Sequence, residues 1–351
     1  MKYTLNKLKE KTTNNFKVND IKLDLDINKL ETFNDYIILN GKDIIIEEEI
    51  KEEKITSKIG LELNKYKNIN ITVPKYKNIK EPVIFRYNFK DESLATNINI
   101  KYESSSNCDF IFIYKSETNS KNLNFYKENL INEKSSTGSI SIVNLLNETS
   151  YNFISIENDT YENANITHNL IDLGGNIRLS NIYSEAKEYG STNYLNNVYL
   201  GNKENIIDMN YYLKNIGKKS SNIIRVEGCL NDYSKKIFRG SIDFIKGCEK
   251  SVGDELENCI IFSDNSVSRS LPILLCAEED VEGSHGVSSG KVSPSTLFYL
   301  NSRGYSDSDA KRLIILTKFA SIINKIPNQN IQEEINIFLD NKLNNKVKDI
   351  S

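Results

Sequence analysis

Apolar and polar residues alternate with a period of two in a long succession of short segments between about residues 56 and 285. Ile69, Ile71 and Val73 stand between polar neighbours, as do Ile98, Ile100 and Tyr102, then Phe110, Phe112 and Tyr114. The pattern returns at Ile140 and Ile142, Ile177 and Leu179, Val198 and Leu200, Met209 and Tyr211, Ile224 and Val226, and Ile242 and Phe244. Successive side chains of a strand point to opposite faces, so each segment is predicted to turn one side to a core and the other to water. Turn formers separate them, among them Ser104-Ser105-Ser106-Asn107, Leu173-Gly174-Gly175-Asn176 and Gly217-Lys218-Lys219-Ser220. No sustained helical pattern interrupts the series, which reads as all-β. A strand every 10–20 residues or so fits a sandwich, a propeller or a β-helix. The lack of a strict short repeat disfavours propellers and regular hexapeptide helices but leaves an irregular β-helix open.

The pattern changes near Ser293, which with Pro294 makes a helix start that Gly304 stops. Ser306-Asp307-Ser308-Asp309 begins a second helix, with a carboxylate three residues after the capping serine. Ala310, Leu313, Ile314, Thr317, Ala320 and Ile323 are predicted to form its apolar face, and Pro327 ends it. A third helix, from about Gln329 to Lys342, sets Ile331, Ile335, Phe338 and Leu339 on one stripe. Residues 1–55 are charged and weakly periodic, and their run Glu47-Glu48-Glu49-Ile50-Lys51-Glu52-Glu53-Lys54 reads as a solvated helix face or a linker. The expected organisation is thus 1–55, a poorly defined segment; 56–290, a β core; and 291–351, a helical domain.

Composition narrows the function classes. Of 351 residues, 38% are hydrophobic and 26% charged, as in a globular protein, and the net charge of -3 comes from signs mixed along the whole chain. No basic footprint points to nucleic acid. No apolar run is long enough to cross a bilayer and none follows the first basic residues as in a secretory signal, so a cytoplasmic protein is expected. Five scattered cysteines without Cys-x-x-Cys argue against a disulfide framework or a self-contained zinc or ferredoxin-type site. They are expected to be reduced and mostly buried, Cys276 on its apolar strand included. Heavy use of Asn, Ile and Lys is given little weight, because a biased source composition produces it as readily as Asn ladders do.

One stretch carries an identity. Phe238-Arg239-Gly240 precedes a strand, Ile260-Ile261-Phe262-Ser263-Asp264 follows, and Leu271-Pro272-Ile273-Leu274-Leu275 leads into Ala277-Glu278-Glu279-Asp280-Val281. Then come Ser284-His285-Gly286, Leu297-Phe298-Tyr299-Leu300 and Ser302-Arg303-Gly304. In order and spacing, these roughly 70 residues closely resemble the C-terminal core of the SufB/SufD family, scaffold proteins of iron–sulfur cluster assembly. Upstream, Val73-Pro74 and Glu81-Pro82-Val83 resemble that family's first β rungs, although Tyr76 stands where a glycine is usual. SufB members tend to carry His-Glu at the turn and SufD members His-Gly, so His285-Gly286 resembles the SufD type.

The resemblance implies a mainly β protein, an irregular right-handed parallel β-helix with a small α-helical C-terminal domain. It implies a non-catalytic scaffold that pairs through the β-helix with a SufB-like subunit, or with a second copy, and through its C-terminal helices with a SufC-type ATPase. The absence of a phosphate-loop motif agrees with ATP hydrolysis in a partner. A transient iron–sulfur cluster at most is expected, with no permanently bound cofactor. SufB members carry a cysteine important for assembly where this chain has Glu257, so Cys259 does not inherit that role. Many SufD members have a cysteine where this chain has Gly283, which leaves His285 as the only metal or cluster ligand the motif supports. An imidazole in a Gly-flanked turn has the lone pair such a role needs. Glu278, Glu279, Asp280 and Glu282 are oxygen donors in the same turn, although each taken singly reads as part of a solvated acidic loop. His168 reads as an ordinary strand or turn residue. Two alternatives remain beside the ligand reading, a purely structural SufD-like subunit and a homodimeric scaffold working with the ATPase alone. A polysaccharide-active enzyme, a frequent use of β-helices, is disfavoured by the lack of clustered aspartates.

Overall fold

The computed structural model describes residues 2–9, 11–12, 17–25 and 36–344. Parts of the expected segments 1–55 and 291–351 lie outside the described residues. The alternating segments form two nine-stranded sheets, one running from Tyr36–Leu39 to Val281–Gly290 and the other from Ile45–Lys51 to Val267–Cys276. From Tyr66 onward successive strands alternate between the sheets, and each stacks in parallel on the strand one turn away, as Phe125 does on Phe153. The architecture is a parallel β-solenoid of about eight turns followed by three helices. It is the one candidate of the three that tolerates rungs of unequal sequence.

Its repeat is conformational. Tyr76, Ser105, Ser135, Asn163, Gly190, Lys219 and Lys250 all have φ between 53 and 67°, and they recur every 27–31 residues. They stack as one column of turns: Ser105 N–H donates to the Lys134 carbonyl (3.0 Å), Ser135 to Glu162 (2.8 Å) and Lys219 to Glu249 (2.9 Å). The glycine expected at residue 76 is thus explained by the left-handed backbone required there. Because side chains other than glycine occupy most of these positions, the repeat has no residue signature.

The solenoid interior is filled by the alternating apolar residues, with Phe85 stacked on Phe112 (4.8 Å) and Tyr87 on Tyr114 (5.0 Å). Two of the expected inward pairs face out instead. Ile177 and Leu179 lie under the N-terminal strands Lys2–Leu5 and Ile21–Asp24, while Val198 and Leu200 lie under the C-terminal helices. Alternation marks a buried face, but a strand covered on both sides has two of them. Asparagines also matter more than composition indicated, since Asn70, Asn99 and Asn129 form an outward ladder of amide hydrogen bonds at 2.7–2.8 Å. The charge run 47–54 is neither helix nor linker. Its first part is the strand Ile45–Lys51, antiparallel to Tyr66–Val73, where Glu48 pairs with Lys67 at 2.9 Å. Charge on this covering strand hides its periodicity.

The helices are α1 (Pro294–Ser302), α2 (Asp307–Ile323) and α3 (Gln329–Asn344). Ser293 and Ser306 cap the first two by accepting from the Thr296 and Asp309 N–H groups, both at 3.1 Å. The face of α2 differs from expectation: Ile315, Phe319 and Ile322 are buried with Ala310 and Ile323, and Leu313 is exposed. With Ile331, Ile335 and Leu339 of α3, Ile315, Phe319, Ile322 and Ile323 cover the outward residues Ile113, Val143, Leu145, Val198 and Leu200. The sheet therefore selects the buried side of α2. No helix among the described residues is long and apolar enough to cross a membrane.

An ion cluster fastens α3. Glu334 accepts two hydrogen bonds from Arg86 (2.7 and 3.0 Å) and one from Lys115 (2.8 Å). Arg86 above all holds its carboxyl down at about 2. A depressed carboxyl adds stability above its unfolded pKa near 4.5 and loses it as pH falls toward 2. Over that interval wild type is expected to lose about 2 kcal/mol more than Glu334→Gln, once partial exposure is discounted. Urea unfolding at the two ends of the interval measures the difference.

Candidate functional site

The C-terminal end of the solenoid is an open edge. Val267–Cys276 and Val281–Gly290 are the last strands of their sheets, and neither has an outer neighbour among the described residues. Every residue of Val267–Cys276 keeps some exposure, unlike the strands below it. Unpaired strand edges of this kind present free N–H and C=O groups to another chain.

His285 lies on the terminal strand, exposed and directed to the inner side. A Cβ built at Gly283 would meet Leu274 at 3.0 Å and Phe244 at 3.1 Å, both interior residues, and His285 is two positions further along the same face. Gly286 faces outward, toward Leu256. The expected Gly-flanked turn is thus strand, and Ser284, also outward, ties it to the preceding rung by donating to Asp254 at 2.8 Å.

The strand beneath, Ser251–Ile261, directs Glu255, Glu257 and Cys259 into the interior. Glu257 is fully engaged. It pairs with buried Lys236 and accepts from Tyr199 Oη (3.0 Å) and Ser270 Oγ (2.6 Å), so the residue at the SufB cysteine position has a structural partner set. Cys259 is buried and its thiol is pushed up by that burial. Glu255 is the register partner of His285 and only 1% exposed, yet neither carboxyl oxygen has a hydrogen-bond partner among the described residues. Burial, then the charge of Glu257, pushes its carboxyl up to about 8. Its signal in the sequence was two-residue spacing from Glu257, which means nothing until the rung and its inward face are known.

The other turn candidates separate. Glu278 is buried and accepts from the Gly247 N–H (2.9 Å) and the Glu279 N–H (3.0 Å), which with burial's opposing effect leaves it below the usual carboxylate range. Glu279, Asp280 and Glu282 are exposed, and the Asp280 carbonyl closes the column of turns by accepting from Lys250. Cys276 contradicts its expected burial: it is exposed, because its strand is the last of its sheet, and its thiol reaches the Glu278 carbonyl at 2.9 Å. The other four cysteines are buried. His168 is a strand residue far from the edge, but a buried one, bonded to Glu128 at 2.8 Å. Among the described residues no three His, Cys, Asp or Glu side chains converge as a metal cage. The edge offers an imidazole and a carboxylate as neighbours, a donor pair that suits divalent first-row metals when further ligands come from outside the chain.

A second exposed feature lies on the helices. Leu300, Leu313, Ile314 and Thr317 line an apolar depression of about 520 Å³ between α1 and α2, bordered by Glu227 and Lys318. Phe298 and Tyr299 on α1 are 75% and 55% exposed. Large exposed aromatics beside an apolar hollow mark a contact surface.

Comparison with known proteins bears on both features. Residues 85–317 match the model of the family described as "SUF system FeS cluster assembly, SufBD core domain". The chain is 25% identical to the iron–sulfur cluster assembly protein SufD of Bacillus subtilis over 279 residues, which cover 77% of this chain and 63% of that protein. It is 29% identical to a SufBD family protein of Pyrococcus horikoshii over 47% of this chain and 36% of the relative. It is 24% identical to the SufD of Escherichia coli over 46% and 38%. The matches thus span under two thirds of each relative's length.

Proposed function

The chain belongs to the SufB/SufD family of the SUF iron–sulfur cluster assembly system, and from that premise we propose that it is a SufD-like, non-catalytic scaffold subunit that helps hold a nascent cluster at a subunit interface. The observation that carries the reading is His285, an exposed donor on the inner side of a terminal strand whose outer edge has no neighbour among the described residues, within the matched core. A SufB-like subunit adding strands to that edge would bring its own donors to the imidazole. The depression between α1 and α2 is the surface offered to a SufC-type ATPase. The helices rest on the sheet whose last strand carries His285, so an ATP-driven pull on them would be felt at that strand. A cluster carried this way is cargo, held transiently by a protein working in the cytoplasm.

His285→Ala is expected to leave complex formation with the two partner subunits intact and to lower cluster yield in anaerobic reconstitution by about tenfold. Absorbance of the reconstituted cluster measures the yield, and size-exclusion chromatography checks assembly. A second reading, a purely structural subunit, is favoured by Gly283 in place of a thiol and by the full engagement of Glu257. Unchanged yield in His285→Ala would decide for it.

A further inference from the structure

Resting on the reading of His285 just given, we infer that Glu255 is the second protein donor at this edge, and that the two side chains together bind one divalent iron ion before partner ligands complete its shell. Three observations carry this. The carboxyl group is buried with both oxygens unpartnered among the described residues, and a bound cation offsets the cost of ionising it there. It occupies a space kept free by Gly240, where a Cβ would collide with both oxygens. Lastly, it stands beside His285 in the same inward file, on strands that lie about 4.8 Å apart.

The neighbouring groups leave Glu255 as the available donor. Lys236, the nearby buried cation, is taken by Glu257 and Ser270, and Cys259 is closed in by burial. Glu282 and Ser284 face away from the interior, and Glu278 is held by backbone N–H groups. Imidazole with carboxylate is a donor pair that ferrous iron and its manganous analogue both accept. Two ligands leave most of the coordination shell open, as a carrier that must release its ion to a growing cluster requires.

The chain has only two histidines, so its ring resonances form a small set. Anaerobic titration of the full-length protein with Mn²⁺, followed by paramagnetic broadening of those resonances, tests the inference. Wild type is expected to show His285 broadening at low Mn²⁺ while His168, in the buried middle of the solenoid, stays sharp. Glu255→Gln keeps the shape of the side chain and is expected to weaken the Mn²⁺ affinity about tenfold. Wild-type affinity in Glu255→Gln, with loss of bound Mn²⁺ in His285→Ala read from the electron paramagnetic resonance signal of free Mn²⁺, overturns the Glu255 assignment and leaves the histidine reading standing. The same holds if Glu255→Gln binds Mn²⁺ normally but loses the SufB-like subunit, which would make Glu255 the partner of a cation in that subunit. Absence of any His285 broadening in wild type overturns the inference, while the cluster yield of His285→Ala judges the underlying reading separately.

Discussion

Lys236→Met is expected to cost about 3–5 kcal/mol of stability, because it leaves Glu257 charged and without its cation inside the solenoid. Both side chains of the pair are fully buried, and only the Tyr199 and Ser270 hydroxyls would still solvate the carboxylate. Urea unfolding of the isolated chain reads the loss. The double variant Lys236→Met with Glu257→Met should recover much of it, since removing both charges also removes their desolvation cost. A single variant as stable as wild type would show that water reaches Glu257. The pair lies one rung below the open edge, so the same substitution should loosen the end that carries His285. Hydrogen exchange of Val281–Gly290 would show that as faster exchange.

Arg239→Met is the second large effect, again about 3–5 kcal/mol. Arg239 is fully buried on the outer side of its strand. One guanidinium nitrogen donates to the carbonyls of Asn6 and Val18, both at 3.0 Å, and another binds Asp208. Asn6 in turn donates to Asp208 and to the Ser180 carbonyl at 3.1 Å. One side chain therefore pins the N-terminal strands over Leu123, Phe125, Phe153 and Leu179. The variant is expected to be cut within its first 25 residues or so by trace protease at concentrations that leave wild type intact. Equal resistance of the two proteins would mean that apolar contact alone holds the segment. The motif Phe238-Arg239-Gly240 thus divides its duties, since Phe238 fills the interior, Arg239 ties down the outer layer and Gly240 leaves room for Glu255.

Much of this was legible beforehand, and what was not has identifiable causes. The strands were visible because a two-residue period survives wherever one face is buried. It failed to say which face at Val198 and Leu200, where helices cover the outside. Helix caps were readable at Ser293 and Ser306 because a cap is a local hydrogen bond, three residues long. The buried side of α2 was not, because Leu313 and Ile315 are equally apolar and only the sheet chooses between them. Cys276 looked buried for the same reason: an apolar strand does not reveal that it is the last one.

The sequence by itself determined the family, through a run of motifs whose order and spacing chance does not produce, and with it the expectation of a β-helix and of His285 as the residue to test. It determined the strands and caps as well, since both depend on neighbours a few positions away. Only the tertiary structure decided that Glu255 stands beside His285, that Glu257 is consumed by Lys236, and that the strand bearing the histidine is an open edge. Those facts join residues about 20–30 positions apart across a coil whose rungs vary in length, so no local pattern encodes them.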